Sequence, residues 1–258
     1  MADTVNYEQD GNVAIVALNR PDALNGFTSA VCRDLLAMLE RAAQDEKIRV
    51  IVLTGEGRAF SAGADLKSGF EGTRTTQGKL NYEYRPALAT IAQMPKPVIA
   101  AVPGFAAGIG MSFVLHSDLV IMADDAFLLS PFTTIALLPD GGANWLLVRQ
   151  LGYRRAYQLA VESERISAAR CVELGLANKS VPAATLRESA LGWAKELGQR
   201  APLSLAATKK AMRHAMQHDW ASSYDLEAEL QEKLRNSADA AEGVAAFFEK
   251  RQPDFCGK

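Results

Sequence analysis

Residues 98–115 read VIAAVPGFAAGIGMSFVL, an apolar stretch with two incompatible readings. As one helix it would be a candidate membrane span, which needs about 20 strongly apolar residues. Pro103, Gly104, Gly108 and Gly110 break it, and alanine stands where a span would carry leucine. Divided at Pro103, it becomes a strand over 98–102, a glycine-rich turn, and a short helix over 110–116. The strand shows no polar alternation, which indicates cover on both faces, as in a parallel sheet. That second reading decides the fold class as α/β.

Working outward, the same signature recurs. Upstream lie two further apolar runs, Val13–Leu18 (VAIVAL) and Val50–Leu53, the second closed by Thr54 and Gly55. Between them a helix is expected, capped by Thr28 or Ser29, with Val31, Leu35, Met38, Leu39 and Ala42 on one face. Residues 56–78 hold glycines, charges and threonines without a period and read as an irregular loop. A helix is expected over 79–93. Downstream, 119–122 and 127–129 read as strands, and from Gly141 onward almost everything reads helical. Leu226, Leu230 and Leu234 are spaced by four, and Val244, Phe247 and Phe248 mark a last amphipathic helix. The domain reading is an α/β core over 1–195 with a helical region over 196–258.

At 258 residues the chain can bury a large core without disulfides. With 28 basic and 30 acidic residues, its net charge of −2 argues against nucleic acid as a general partner. Cys32, Cys171 and Cys256 are far apart and form no CxxC pair, so neither a disulfide framework nor a zinc site is expected. The start, MADTVNYEQDGN, shows no signal peptide. A cytoplasmic protein with no membrane partner is the resulting expectation.

Three segments carry candidate chemistry. Gly57–Leu66 (GRAFSAGADL) follows the second apolar strand; its small residues let a ligand lie against backbone N–H groups, or make a tight turn. Pro103–Met111 enters a helix through glycines, which aims N–H groups and the positive end of a dipole at one point, or permits a close helix–strand crossing. It lacks the residues of a P-loop and the spacing of a dinucleotide fingerprint. Leu137–Trp145 (LLPDGGANW) places Asp140 between apolar residues and glycines. There an aspartate either caps a helix or acts as a carboxylate base with its pKa raised by desolvation. His116, His214 and His218 do not make a metal-ligand set.

Taken together, these segments resemble the crotonase (enoyl-CoA hydratase/isomerase) superfamily. The match runs along essentially the whole chain: Leu18-Asn19-Arg20-Pro21, Ala23-Leu24-Asn25, Arg58 to Leu66, Lys96 to Val102, Gly104 to Gly108, Arg165 to Ala168, and Ala-Glu-Gly-Val at 241–244. The resemblance implies a spiral of ββα turns with a C-terminal helical part that trimerises, often into a dimer of trimers. It implies an acyl-CoA thioester substrate, with no further cofactor. By motif position, the backbone N–H groups of Ala64 and Ile109 would form the oxyanion hole, although the family usually has glycine where Ile109 stands. Ala23, Leu24, Arg58, Ala62, Asp65 and Leu66 would line the CoA site.

Hydratases of this family hold water between two glutamates. At those positions this chain has Ser112 and Phe132, and neither can act as a carboxylate base. Asp140 instead resembles the single carboxylate of the family's enoyl-CoA isomerases and of the ring-opening isomerases of phenylacetate breakdown. Phe132, Leu137, Leu138 and Trp145 would form a dry acyl pocket around it. An isomerase of fatty-acid or aromatic-acid metabolism is the resulting expectation. The alternatives are a hydratase with an atypical acid set and a non-catalytic acyl-CoA-binding member. A nucleophilic role for Asp140, as in the family's dehalogenases, would need a histidine within Ala87–Gln93, and there is none. Acyl-pocket length is expected to depend on the loop around Ser68–Gly78 and on neighbouring subunits.

Overall fold

The computed structural model describes residues 4–69 and 75–258. The strands in chain order are β1 (Val5–Asp10), β2 (Val13–Leu18), β3 (Val50–Gly55), β4 (Val98–Val102), β5 (Phe105–Ala107), β6 (Leu119–Ala123), β7 (Phe127–Leu129), β8 (Ile166–Ser167) and β9 (Lys179–Val181). The helices are α1 (Ser29–Gln44), α2 (Thr76–Gly78), α3 (Arg85–Gln93), α4 (Ile109–His116), α5 (Ala143–Leu151), α6 (Tyr153–Glu162), α7 (Ala168–Glu173), α8 (Leu186–Gly198), α9 (Pro202–Ala215), α10 (Trp220–Arg235) and α11 (Ala238–Glu249).

Two sheets form. The larger runs β1-β2-β3-β4-β6-β9, with β1 antiparallel to β2 and every other pair parallel. All residues of β2 and β4 are buried, as their unbroken apolar runs predict. Helices α1 and α8 pack against this sheet, and α1 buries Val31, Cys32, Leu35, Leu39 and Ala42. Thr28 is the cap of α1: its side chain accepts from Val31 N at 3.3 Å. The smaller sheet runs β5-β7-β8 and is prolonged by two isolated parallel bridges, Ser61 to Ala106 and Phe27 to Ala64. Each step of strand, loop strand and helix therefore adds one rung to both sheets, which is the expected spiral of ββα turns.

The structure corrects several element expectations. The helix expected over 79–93 begins earlier, at Thr76, inside the stretch read as irregular, and Lys79–Tyr84 forms a wider π-helical turn before α3. Among the described residues, the region after Gly141 also contains strands β8 and β9. Residues 70–74, within the loop expected to bear on acyl length, lie outside the described residues. The 195/196 division falls within α8, and the chain passes from there to the last three helices at residues 199–201.

Helix α9 is tied to the core through one carboxylate. Asp118 accepts from Val98 N at the start of β4 and pairs with Lys209 at 2.7 Å and Arg213 at 2.9 Å. Lys209 also donates to the carbonyls of Ile91 and Lys96. Among the described residues, no helix is long and apolar enough to cross a membrane.

Candidate active site

The site is built from loops that meet edge to edge at the end of the smaller sheet. Asn25 organises the first. It is buried, at 1% exposure, with φ at +55°, and its amide donates to the carbonyls of Glu56 and Ala59. Its side-chain oxygen accepts from Arg20 N, and its carbonyl accepts from the Ser61 hydroxyl. One side chain thus clamps the turn holding Ala23 and Leu24 against the segment 56–61. Nothing in composition marks this role, although Asn25 belongs to a quoted motif.

Beyond Ser61 the chain alternates: Ser61 and Gly63 are buried, while Ala62, Ala64 and Leu66 are exposed. Phe27 N donates to Gly63 O, and Asp65 N donates to Phe27 O. This parallel bridge uses the groups flanking Ala64 and turns the Ala64 N–H away from Phe27. Gly63 is pressed against the next loop, where a Cβ would lie 2.9 Å from the Ala107 carbonyl oxygen. On the other side, Gly108 caps α4 with φ at +55° and leaves Ile109 as its first helical residue. The N–H of a first helical residue has no partner within the helix. The loops carrying the Ala64 and Ile109 N–H groups therefore adjoin, with glycine at the contact.

The remaining residues expected around CoA are placed differently. Ala23, Leu24 and Ala62 meet where Ala62 N donates to Leu24 O at 2.9 Å. Arg58 and Leu66 are exposed. Asp65 is engaged within the fold: Arg20 donates two hydrogen bonds to its Oδ2 at 3.1 Å. Against the desolvation that would raise it, these bonds and those from the Lys67 and Ser68 backbones hold its carboxyl below the usual range.

The structure separates the two readings of Asp140. The cap of α5 is Gly142, at φ +82°, and Asp140 contributes only its backbone carbonyl, which accepts from Ala143 N. Its side chain is left over: Oδ1 is buried and, among the described residues, has no hydrogen-bond partner. Burial pushes the carboxyl up to about 6, with only its own backbone N–H opposing. The Ser112 hydroxyl donates to Asp140 O at 2.9 Å, so the first of the two missing glutamate positions adjoins the aspartate. Gly141 lies against Ile109, where a Cβ would collide with Ile109 Cδ1. The Ile109 side chain is accommodated by that glycine.

A cavity of about 520 Å³ opens beside Asp140. Leu80, Leu88 and Leu138 line it, with Arg85 and His116. Of the four residues expected to form the acyl pocket, Leu138 is on this wall and Phe132 is buried next to Gly108. Leu137 and Trp145 are exposed and not part of this wall. Tyr84, on the π-helical turn, has a buried hydroxyl without a partner among the described residues. Burial, and next the charges of Cys32 and Asp140, raise its pKa.

A family model described as enoyl-CoA hydratase/isomerase matches residues 8–258. A probable enoyl-CoA hydratase from Rhodobacter capsulatus is 39% identical over 99% of this chain and 98% of its own length. A 1,2-epoxyphenylacetyl-CoA isomerase from Escherichia coli is 36% identical over the full length of both. The crystal structure of an enoyl-CoA hydratase from Bacillus anthracis superposes with a TM-score of 0.94 at 31% identity, covering 99% of this chain and all of that one.

Proposed function

Since the chain belongs to the enoyl-CoA hydratase/isomerase family, we propose that it is an acyl-CoA isomerase, moving the double bond of a 3-enoyl-CoA to give a 2-enoyl-CoA, or carrying out a related ring-opening isomerisation. The observation that carries this is Asp140, half-buried next to Gly141 and Ile109, whose buried Oδ1 has no hydrogen-bond partner among the described residues and which has no helix to cap.

In this mechanism the thioester oxygen sits between the N–H groups of Ala64 and Ile109. Asp140 removes a proton from the α-carbon, and the electron pair of that C–H bond moves into the thioester. A dienolate forms, its negative charge on the oxygen. Preorganised donors aimed at such an oxygen are commonly the largest catalytic contribution. Asp140 then returns the same proton to the γ-carbon, so C2=C3 replaces C3=C4 and nothing is consumed. A carboxyl near 6 is basic enough to take the proton and acidic enough to give it back. CoA is part of the substrate, and no separate cofactor enters. Hydration would need a second group to activate water, and the two positions hold Ser112 and Phe132.

The names of the relatives include both a hydratase and an isomerase, so the test must separate these reactions. Asp140→Asn should keep its fold and CoA affinity yet lose at least about two orders of magnitude in rate, the usual range for a general base. Wild-type protein given a 3-enoyl-CoA should move the double bond without making a 3-hydroxy product. Fast hydration of a 2-enoyl-CoA, or full turnover by the variant, would overturn the reading.

A further inference from the structure

The wall of the cavity beside Asp140 carries a charge that the proposed proton shuttle does not use. Arg85, Leu88, Ala89 and Ala92 all line it. Their spacing of three, four and seven residues makes them one stripe of α3, apolar except at its first position. His116 stands elsewhere on the same wall. Burial, opposed by its bond with Ser112 O, lowers its pKa. Arg85 is the one lysine or arginine on this wall among the described residues. Among the described residues its side chain forms no ion pair or hydrogen bond. The raised pKa of Asp140 comes from burial, opposed by its own backbone N–H. The base and the guanidinium line one cavity, together with Leu88, Ala89 and Leu138.

We propose that Arg85 selects acyl-CoA substrates whose acyl chain ends in a carboxylate. This rests on Asp140 being the base: an acyl group with its α-carbon at Asp140 lies in this cavity, and its chain runs along Leu88 and Ala89. The far end then meets a planar cation whose paired N–H groups match a carboxylate. A methyl terminus would leave that guanidinium without a partner, and sites built to bond a polar group discriminate against analogues lacking it. Because Arg85 is exposed at the cavity edge, the discrimination is smaller than in a sealed site.

The test compares two 3-enoyl-CoA substrates of equal chain length, one ending in methyl and one in carboxylate. Wild-type kcat/KM should favour the carboxylate by about tenfold or more. In Arg85→Gln that ratio should collapse toward one, chiefly through KM, and Arg85→Lys should keep part of it. A wild-type ratio near one overturns the proposal, as does a ratio that Arg85→Gln leaves unchanged. Calorimetric titration with the two saturated, unreactive acyl-CoA analogues gives a readout independent of Asp140. Equal affinity of wild type for both overturns the proposal even if isomerisation proceeds through Asp140, whereas preferential binding supports it even if Asp140→Asn stays active.

Discussion

At the scale of single residues, Asp140 shows what a sequence can and cannot convey. An aspartate before two glycines and a helix is what a cap looks like, and the segment alone leaves capping and base chemistry both open. The difference lies in backbone angles two residues on, where Gly142 takes the cap and frees the carboxylate. Ser112 and Phe132 were legible as missing acids because identity alone decides that. Arg85 was not, since a helical arginine is ordinarily a solvated one and only the cavity distinguishes it. The environment of Asp140 predicts two pH dependences. As a base it must be ionised, so kcat/KM should fall about tenfold per pH unit below about 6. Its folded-state pKa is also above the ordinary 3.8, so the fold holds this proton more tightly than the unfolded chain does. The ionised form is thus a burden that is full above about pH 6 and gone below about pH 4. Asp140→Asn should accordingly be more stable than wild type at pH 7, by at most about 3 kcal/mol, and the gap should close as the pH falls to 4. Calorimetric melts across that range check it.

At the scale of elements, strands buried on both faces were read to the residue, as with 13–18 and 98–102. Continuous β-branched and alanine runs have no other comfortable environment. Strand β1 was missed because an edge strand with sequence VNYEQD carries no such run. Two- and three-residue strands such as β8 and β5 are fixed by their partners across the small sheet, and local pattern cannot show them. The π-helical turn over Lys79–Tyr84 is likewise a matter of hydrogen-bond register and leaves the apolar period nearly intact. The contact of the two donor loops yields a prediction at this scale. Gly63→Ala places a Cβ against the Ala107 carbonyl at a residue with φ of +97°. The variant should lose about 1 to 3 kcal/mol in denaturant melts. Its rate should fall while the pH midpoint near 6 stays, because the surroundings of Asp140 are untouched. A shifted midpoint would mean that the loops and the aspartate are not separable.

At the scale of the molecule, the last three helices leave large apolar side chains in water. Trp220, Phe247 and Phe248 are 78%, 79% and 77% exposed. The resemblance implied that such helices trimerise, and we infer that these faces are covered by further copies of the chain. Light scattering at micromolar concentration should give a mass of three or six times 27.8 kDa. A Phe247→Asp, Phe248→Asp double variant should shift it downward, and a monomeric wild type would contradict the assembly. The molecule as a whole also determines how the site responds to genetic change. The two proposed donors are main-chain groups, held in place by glycines and by Asn25. A substitution library at positions 64 and 109 would therefore rank residues by bulk and backbone preference. Deleting a donor there takes proline or an amide-to-ester replacement, so half of this site is invisible to a conventional alanine scan.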